Sequence, residues 1–446
     1  MEVSLIRTAT LPSGQVTVPE GELGPGIHRL QLGCGSVAVT ASTGAPPGEI
    51  WLAPDVWDRL GVPYPGIRLL VRRTNQGEVE LGPTVAVLYA GNGDVPDGEA
   101  ERRAAMYFGQ QHGAAGLMSL GFEAAIDWER STMHGYVLDN RPGKGIKVIP
   151  ASFPIPAVVR LTWSIPRDVI QRLRERTGNR TFNWVRNIGK WEFHNLLAGV
   201  PGLRDHLPAT RLFGGPADLA AMLACHDQVF VKHTFSIKGQ GVVRIRSLSD
   251  GLEVRHMDKG RLVDCAFPDL GQLVPYVRQF LGPGRCIVQQ GIPITGTEGR
   301  ALDFRVLTVR DGDGGWRCPA TFAKVAPDDR LVITNVANGA SEGAALTGLQ
   351  QHHAMTRMQA GDCLQRMIDL CLRAARELAV RFDPMGMLGF DVAVEAENHR
   401  IWLLEANSVP GWEYGPEVDT KLARSQIDYA VFLTGFPGPT DRQPCR

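Results

Sequence analysis

The chain of 446 residues balances 47 Lys and Arg against 47 Asp and Glu, and 43% of its residues are hydrophobic. Zero net charge gives no whole-chain attraction to nucleic acid or to an anionic membrane, so neither is expected as a partner. The length supports about two to four domains with real cores, which excludes a mainly disordered chain. The eight cysteines form no CxxC pair, so neither a zinc site nor a disulfide framework is expected. With no signal-like apolar start and no apolar run near the roughly 18 residues of a membrane span, a soluble, reduced, cytoplasmic protein is expected.

Residues 1–82 are turn-rich, with short apolar runs at 27–30, 37–39 and 67–71, and read as a small β-rich module. A second unit, 83–180, opens with a buried strand at 84–89. A helical stretch from Glu99 to about Leu120 follows, then a β-branched run at 157–163. Strand, helix, strand in that order predicts an α/β unit. The third unit, 181–446, carries sharper signals. Phe193, Leu196, Leu197 and Val200 at helical spacing put Lys190 at a helix start, and a second helix begins near Pro216. The strand at 229–232 ends in Lys232 and runs into a loop with Gly239 and Gly241. Another strand lies at 287–290. Runs at 304–309 and 316–325 flank an Asp-Gly-rich turn and predict a hairpin. Leu364, Met367, Ile368, Cys371, Leu372, Ala375 and Leu378 keep a 3.6 period, which marks a core helix.

Three constellations could carry chemistry. The strands 389–394 and 401–407 predict an antiparallel hairpin, and a turn centred on Asn398 places Asp391 opposite Glu405, with Asn407 on the same face. Two carboxylates among Leu and Val repel each other, and a cation relieves this; an all-oxygen set with an amide suits Mg²⁺. The plain alternative is an edge hairpin with solvated acids. Lys232 followed by Lys238, Gly239 and Gly241 could cradle a phosphate, although a Gly-x-Gly hairpin loop is the commoner reason for that pattern. Lys190 at a helix start could equally be solvated. Asp303 and Arg305 share a strand face, as a surface ion pair or as an arginine facing a phosphoryl or acyl oxygen. His352 and His353 show no metal-ligand spacing.

Taken in order, Lys190-Trp191, Val231-Lys232 with Gly239-Gln240-Gly241, Val288-Gln289-Gln290-Gly291-Ile292, Gly299-Arg300 with Asp303-Phe304-Arg305-Val306, Thr334-Asn335 and Glu405-Ala406-Asn407-Ser408 resemble an ATP-grasp enzyme. The likeness is greatest to the YheC/YheD family, described as endospore coat-associated, and runs from about Phe182 to Gly411. It implies an α+β ATP-grasp fold in 181–446, two subdomains clamping ATP, with 83–180 as a pre-ATP-grasp-like α/β domain behind the small β module. It implies that Lys190, Lys232, Lys238, Gly239 and Gly241 meet the phosphates, and that Gln289, Gln290 and Ile292 meet the adenine. Asp391, Glu405 and Asn407 would hold Mg²⁺, with Arg305 and Lys324 as catalytic residues.

The implied reaction is an ADP-forming carboxylate–amine ligation through an acyl phosphate, on small-molecule or peptide carboxylate and amine substrates, with spore coat proteins as partners. The pattern is altered where His233 replaces the usual proline, Ser236-Ile237 the usual Gly-Ser, Lys324 a common arginine and Asn338-Gly339-Ala340 the usual glycine pair. Two other readings stay open: a non-catalytic ATP-binding or structural spore-coat-associated protein, and a kinase using the same clamp on a hydroxyl.

Overall fold

The computed structural model describes residues 1–21, 26–74, 78–96, 98–111, 113–162, 164–235, 241–296, 299–327, 339–408, 410 and 414–438. Lys238, Gly239, Thr334 and Asn335 lie outside them. Among the described residues four sheets succeed one another along the chain.

The first is a closed barrel in the order Glu2–Arg7, Glu49–Leu52, Gln15–Val18, Gly35–Thr43, Gly26–Leu32, Val79–Gly82, Arg68–Arg73. Along Gly35–Thr43 burial alternates, so Val37, Val39 and Ala41 point inward, as the period of two in a strand requires. The barrel core is continuous with Leu88, Leu117, Met133 and Phe153 of the next sheet.

That second sheet runs Val148–Pro154, Thr132–Leu138, Leu117–Asp127, Thr84–Tyr89, Val158–Leu161, Thr181–Phe182. Thr84–Tyr89 is parallel to both neighbours, and the helix Glu99–Phe108 connects it to Leu117–Asp127. The helix expected to run to about Leu120 therefore stops at Phe108, and its final part is strand. Past Phe108 comes a single 3₁₀ turn, Gly109–Gln111, and then two glycines in non-helical backbone, Gly113 at φ 76° and Gly116 at φ 147°; a Cβ on Gly116, just before the strand, would come within 3.2 Å of the Pro83 carbonyl oxygen. Only a residue without a side chain lets the chain turn in that close to the sheet.

The third and fourth sheets are antiparallel. One runs Thr210–Leu212, Cys286–Gln290, Gln228–His233, Val242–Leu248, Gly251–Asp258, Arg261–Phe267, and Leu219, Leu273 and Val277 from two helices cover its core face. The other runs Ser341–Ala344, Trp316–Val325, Leu302–Arg310, Met387–Val394, Ile401–Asn407. The helix Arg357–Phe382 packs on it through Met367, Cys371, Ala375 and Leu378. Thr356 and Gln359 form a capping box at its start, a device that contributes about 1 kcal/mol.

The closing helix, Pro416–Thr434, locks the second sheet to the fourth. Its Gln426 accepts from Arg160 Nε at 2.8 Å and from Asn183 Nδ2 at 3.0 Å. Its Tyr429 hydroxyl accepts from Arg310 at 2.8 Å. These bonds satisfy buried polar groups that cost about 1–3 kcal/mol each when left unpaired.

Candidate active site

The third sheet and the helix before it supply two lysines. Lys190 is the first residue of the helix Lys190–Ala198. Its amide donates to the Thr234 carbonyl at 2.9 Å, tying the helix start to the end of the lysine strand. Its side chain is buried, with Nζ 3.0 Å from Glu405 Oε2, so the solvated alternative for this residue is excluded. Lys232 lies in Gln228–His233, opposite Val242 and Ile287. Its ammonium has no ion-pair partner among the described residues. Desolvation, with Lys190 nearby, pulls its pKa down to about 8. Gly241, at φ 60°, sits under the His233 ring, and His233 is held by the Leu281 carbonyl at 2.7 Å.

The fourth sheet supplies the acids, arranged in two cross-strand rows. In one, Glu342 pairs with Lys324 and Lys324 with Asp303. In the other, Phe322 pairs with Arg305, Arg305 with Asp391 and Asp391 with Glu405. Residues in register share a face of the sheet, so both rows face the same side. Lys324 Nζ lies 2.9 Å from both Asp303 Oδ1 and Asp391 Oδ1. Arg305 reaches Asp391 at 3.4 Å and donates to the Gly389 carbonyl at 3.2 Å. A Cβ on Gly389 would stand 2.9 Å from Arg305 Nη1, so the missing side chain makes room for the guanidinium. Asp303 and Arg305 are thus not a surface ion pair; each has a different partner on the neighbouring strand.

A bulge sets the Asp391–Glu405 pairing. Near the turn Val394 pairs with Ile401, Ala393 with Trp402 and Val392 with Leu403, but the next pair is Asp391 with Glu405. Leu404 is the extra residue. The turn is centred half a residue before Asn398, and without the bulge Asp391 would face Leu404.

The electrostatics follow from this packing. In the buried part of the site Lys190, Lys232, Arg305 and Lys324 face Asp303, Asp391 and Glu405, and the exposed Glu342 at the edge of the same face brings the carboxylates to four as well. Burial penalises the Glu405 carboxylate, but Lys190 and Lys232 outweigh that and hold it well below the usual carboxylate range. Burial likewise works against the Lys324 ammonium, and Asp303 and Asp391 outweigh it and raise its pKa. The two acids are therefore not an uncompensated pair awaiting a metal, as the hairpin alone suggests; lysines neutralise them.

Among the described residues no group of three or more His, Cys, Asp or Glu forms a closed metal site. The hairpin offers two carboxylates and the Asn407 amide, whose Nδ2 donates to Asp391 Oδ2 at 3.3 Å and leaves its oxygen for another partner. That all-oxygen set fits Mg²⁺, which takes one or two carboxylates and fills its remaining positions with phosphate oxygens and water.

Gln289 and Gln290 turn their amides to the neighbouring strand region. Gln289 Nε2 donates to Thr210 Oγ1 at 3.0 Å, and Gln290 Oε1 accepts from the Ala209 amide at 3.1 Å. Ile292 packs with Ala393, Trp402, Ile294 and Leu404 at the seam between the two sheets. Lys190, Lys232, Arg305, Lys324, Asp391, Glu405 and Asn407 are thus gathered in one place, with Ile292 and Leu404 as an apolar wall. Sequence reading passed over Tyr414, Phe322 and Glu342. The stacked Phe322 and Tyr414 rings lie 5.0 Å apart beside Arg305. For Phe322 a signal was present: two positions before Lys324 on one strand, it shares the lysine's face.

Two antiparallel sheets bringing lysines and carboxylates together in this way define an ATP-grasp fold. The profile of the family described as YheC/D-like ATP-grasp matches residues 178–433, more than half of the chain, and the chain belongs to that family. It is similar to the endospore coat-associated protein YheD of Bacillus subtilis (strain 168), 24% identical over 379 residues, 80% of each chain. Among solved structures it is similar to D-alanyl-alanine synthetase A of Vibrio cholerae, 14% identical, covering 79% of this chain and 98% of that one, with TM-score 0.42. It is also similar to the VanG D-Ala:D-Ser ligase of Enterococcus faecalis, 12% identical, covering 78% and 99%, with TM-score 0.42. No helix among the described residues is long and apolar enough to cross a membrane.

Proposed function

We propose that the protein is an ATP- and Mg²⁺-dependent ligase that joins a small-molecule or peptide carboxylate to an amine through an acyl phosphate. The observation that carries this is Lys232, a desolvated ammonium with no ion pair among the described residues and with the Glu405 and Asp391 carboxylates acting on it only through longer-range attraction. Such a group is costly in the free protein, and a polyphosphate supplies the missing charge. Lys190 and Lys232 bind the phosphates, and on nucleotide binding Lys190 exchanges Glu405 for a phosphate oxygen. Asp391, Glu405 and Asn407 would hold Mg²⁺, which would supply charge neutralisation for the transferring phosphate. Ile292 and Leu404 offer the adenine an apolar wall.

The chemistry assigned to Arg305 follows from its fork. A carboxylate is a poor acyl donor because its leaving group is oxide, and phosphorylation replaces that group with phosphate. Charge then develops on phosphoryl oxygens and, during amine attack, on the acyl oxygen. A planar guanidinium fixed by Asp391 and the Gly389 carbonyl is oriented to donate to either.

The test is ADP release with pooled amino acids and peptides, using ¹⁸O-labelled carboxylates. Labelled inorganic phosphate together with an amide is the expected result. AMP with pyrophosphate, label kept wholly in the organic product despite amide formation, or a stable phosphorylated hydroxyl would each overturn the acyl-phosphate route. Nucleotide bound without any turnover supports a non-catalytic role.

A further inference from the structure

Beside Arg305 the site face continues to the sheet edge, where its charge changes sign. Glu342 lies on the edge strand Ser341–Ala344, exposed, in register with Lys324. Residues in register point to one face, so its carboxylate stands on the same side as Lys324, Asp303 and Arg305. Each of the other three acids on this face is within ion-pair distance of a lysine or arginine. Glu342 has no such partner among the described residues. Next to it the Phe322 and Tyr414 rings stack at 5.0 Å with an interplanar angle of 15°. Tyr414 feels both Arg305 and Glu342: burial raises its phenol, Arg305 opposes that, and Asp391 and Glu342 add to it. A carboxylate with no ion pair among the described residues, an aromatic shelf and an arginine for the acyl oxygen thus share one face at the open edge of the site.

We propose that Glu342, with the Phe322–Tyr414 pair, forms the subsite that receives the protonated amine of the acceptor substrate; the inference rests on the ligase reading and names the acceptor's chemistry. The acceptor is a primary ammonium carried on an apolar or aromatic stem. An ammonium is drawn to a carboxylate and to the faces of aromatic rings, and the other three carboxylates of the face already have lysine or arginine partners that repel it.

The same placement supplies the proton acceptor. The ammonium gives one proton to the Glu342 carboxylate, and the nitrogen lone pair then attacks the acyl carbon beside Arg305. The carbon–oxygen bond to phosphate breaks, the phosphate departs with its electron pair, and the second nitrogen proton leaves with it as hydrogen phosphate. Glu342 returns its proton to solvent.

The test is binding to the full chain in the presence of Mg²⁺-ATP, read by saturation-transfer NMR. Benzylammonium is the probe and benzyl alcohol its uncharged counterpart. Saturable benzylammonium binding to the wild type is expected, weakened about tenfold or more in Glu342→Gln and several-fold in Tyr414→Leu. Benzyl alcohol binding should respond to Tyr414→Leu and not to Glu342→Gln, a split that a general loss of structure does not produce. Mg²⁺-ATP affinity of each variant serves as the folding control. Equal benzylammonium affinity in wild type and Glu342→Gln, or no saturable binding to the wild type, overturns the subsite. Failure of the wild type to bind nucleotide instead overturns the ligase reading, while the ammonium titration still decides the subsite.

Discussion

Lys232 offers the sharpest test, because the same physics predicts opposite effects on stability and on binding. Desolvation and Lys190 bring its pKa from 10.5 down to about 8. The folded chain therefore holds this proton less tightly than the unfolded chain, and the charge destabilises the fold below pH 8. That penalty is relieved as pH rises from about 8 to 10.5, where the unfolded chain binds the extra proton. At about 1.4 kcal/mol per tenfold, the shift corresponds to about 3 kcal/mol. Lys232 is only partly buried, and its contact with solvent lowers this toward about 1–2 kcal/mol.

Lys232→Met keeps an unbranched stem and removes the charge. At pH 7 the variant should be more stable than the wild type, by a few degrees in Tm at about 2–4 °C per kcal/mol. Its Mg²⁺-ATP affinity should fall by about tenfold to a hundredfold, the worth of one charge-assisted phosphate contact. Thermal scans at pH 7 and pH 9.5, with and without Mg²⁺-ATP, read both effects. The gain in stability should shrink at the higher pH, where the wild-type lysine has itself become neutral. A variant of lower Tm than the wild type at pH 7, or one that keeps the full nucleotide-induced shift, refutes the reasoning.

Asp391→Asn removes a carboxylate that faces Lys324 and Arg305, and breaking a buried pair costs up to about 3–5 kcal/mol. Because Lys324 keeps Asp303, the lower part of that range is expected, with loss of Mg²⁺-dependent nucleotide binding; unchanged Tm and unchanged Mg²⁺ dependence would count against this site. Arg305→Lys keeps charge and loses the fork, so turnover should fall more than nucleotide affinity does, as steady-state kinetics set beside direct binding will show. Glu405, held below the usual carboxylate range, contributes stability that is present above its unfolded pKa of about 4.5 and lost as pH falls through its lower folded value. The stability gap between wild type and Glu405→Gln, measured by urea unfolding, should stay constant from pH 7 to pH 5 and close only below about pH 4; a gap that closes by pH 5 is inconsistent with the Lys190 and Lys232 pairing.

Local pattern was enough for much of the site's scaffold. The helix opening at Lys190, the strand ending just past Lys232 and the long helix through Cys371 lie where spacing and β-branched runs place them. These signals are short-range: the period of a strand or helix is written in consecutive residues. The residues at 109–120 misled for the same reason, because the strand that begins at Leu117 is set by pairing with Thr84–Tyr89 and by the close approach of Gly116 to Pro83, both distant in sequence.

What tertiary structure alone decided was register and charge pairing. The hairpin's symmetry pointed to Asp391 opposite Glu405, yet the actual turn would have put Leu404 there, and only the bulge, fixed by packing on both faces of a wholly buried strand, restores the pair. Asp303 and Arg305 look like partners in sequence, but pairing with strands at 316–325 and 387–394 sends one to Lys324 and the other to Asp391. Cross-strand partners are set by burying whole apolar faces at once, a global condition that no window of neighbouring residues contains.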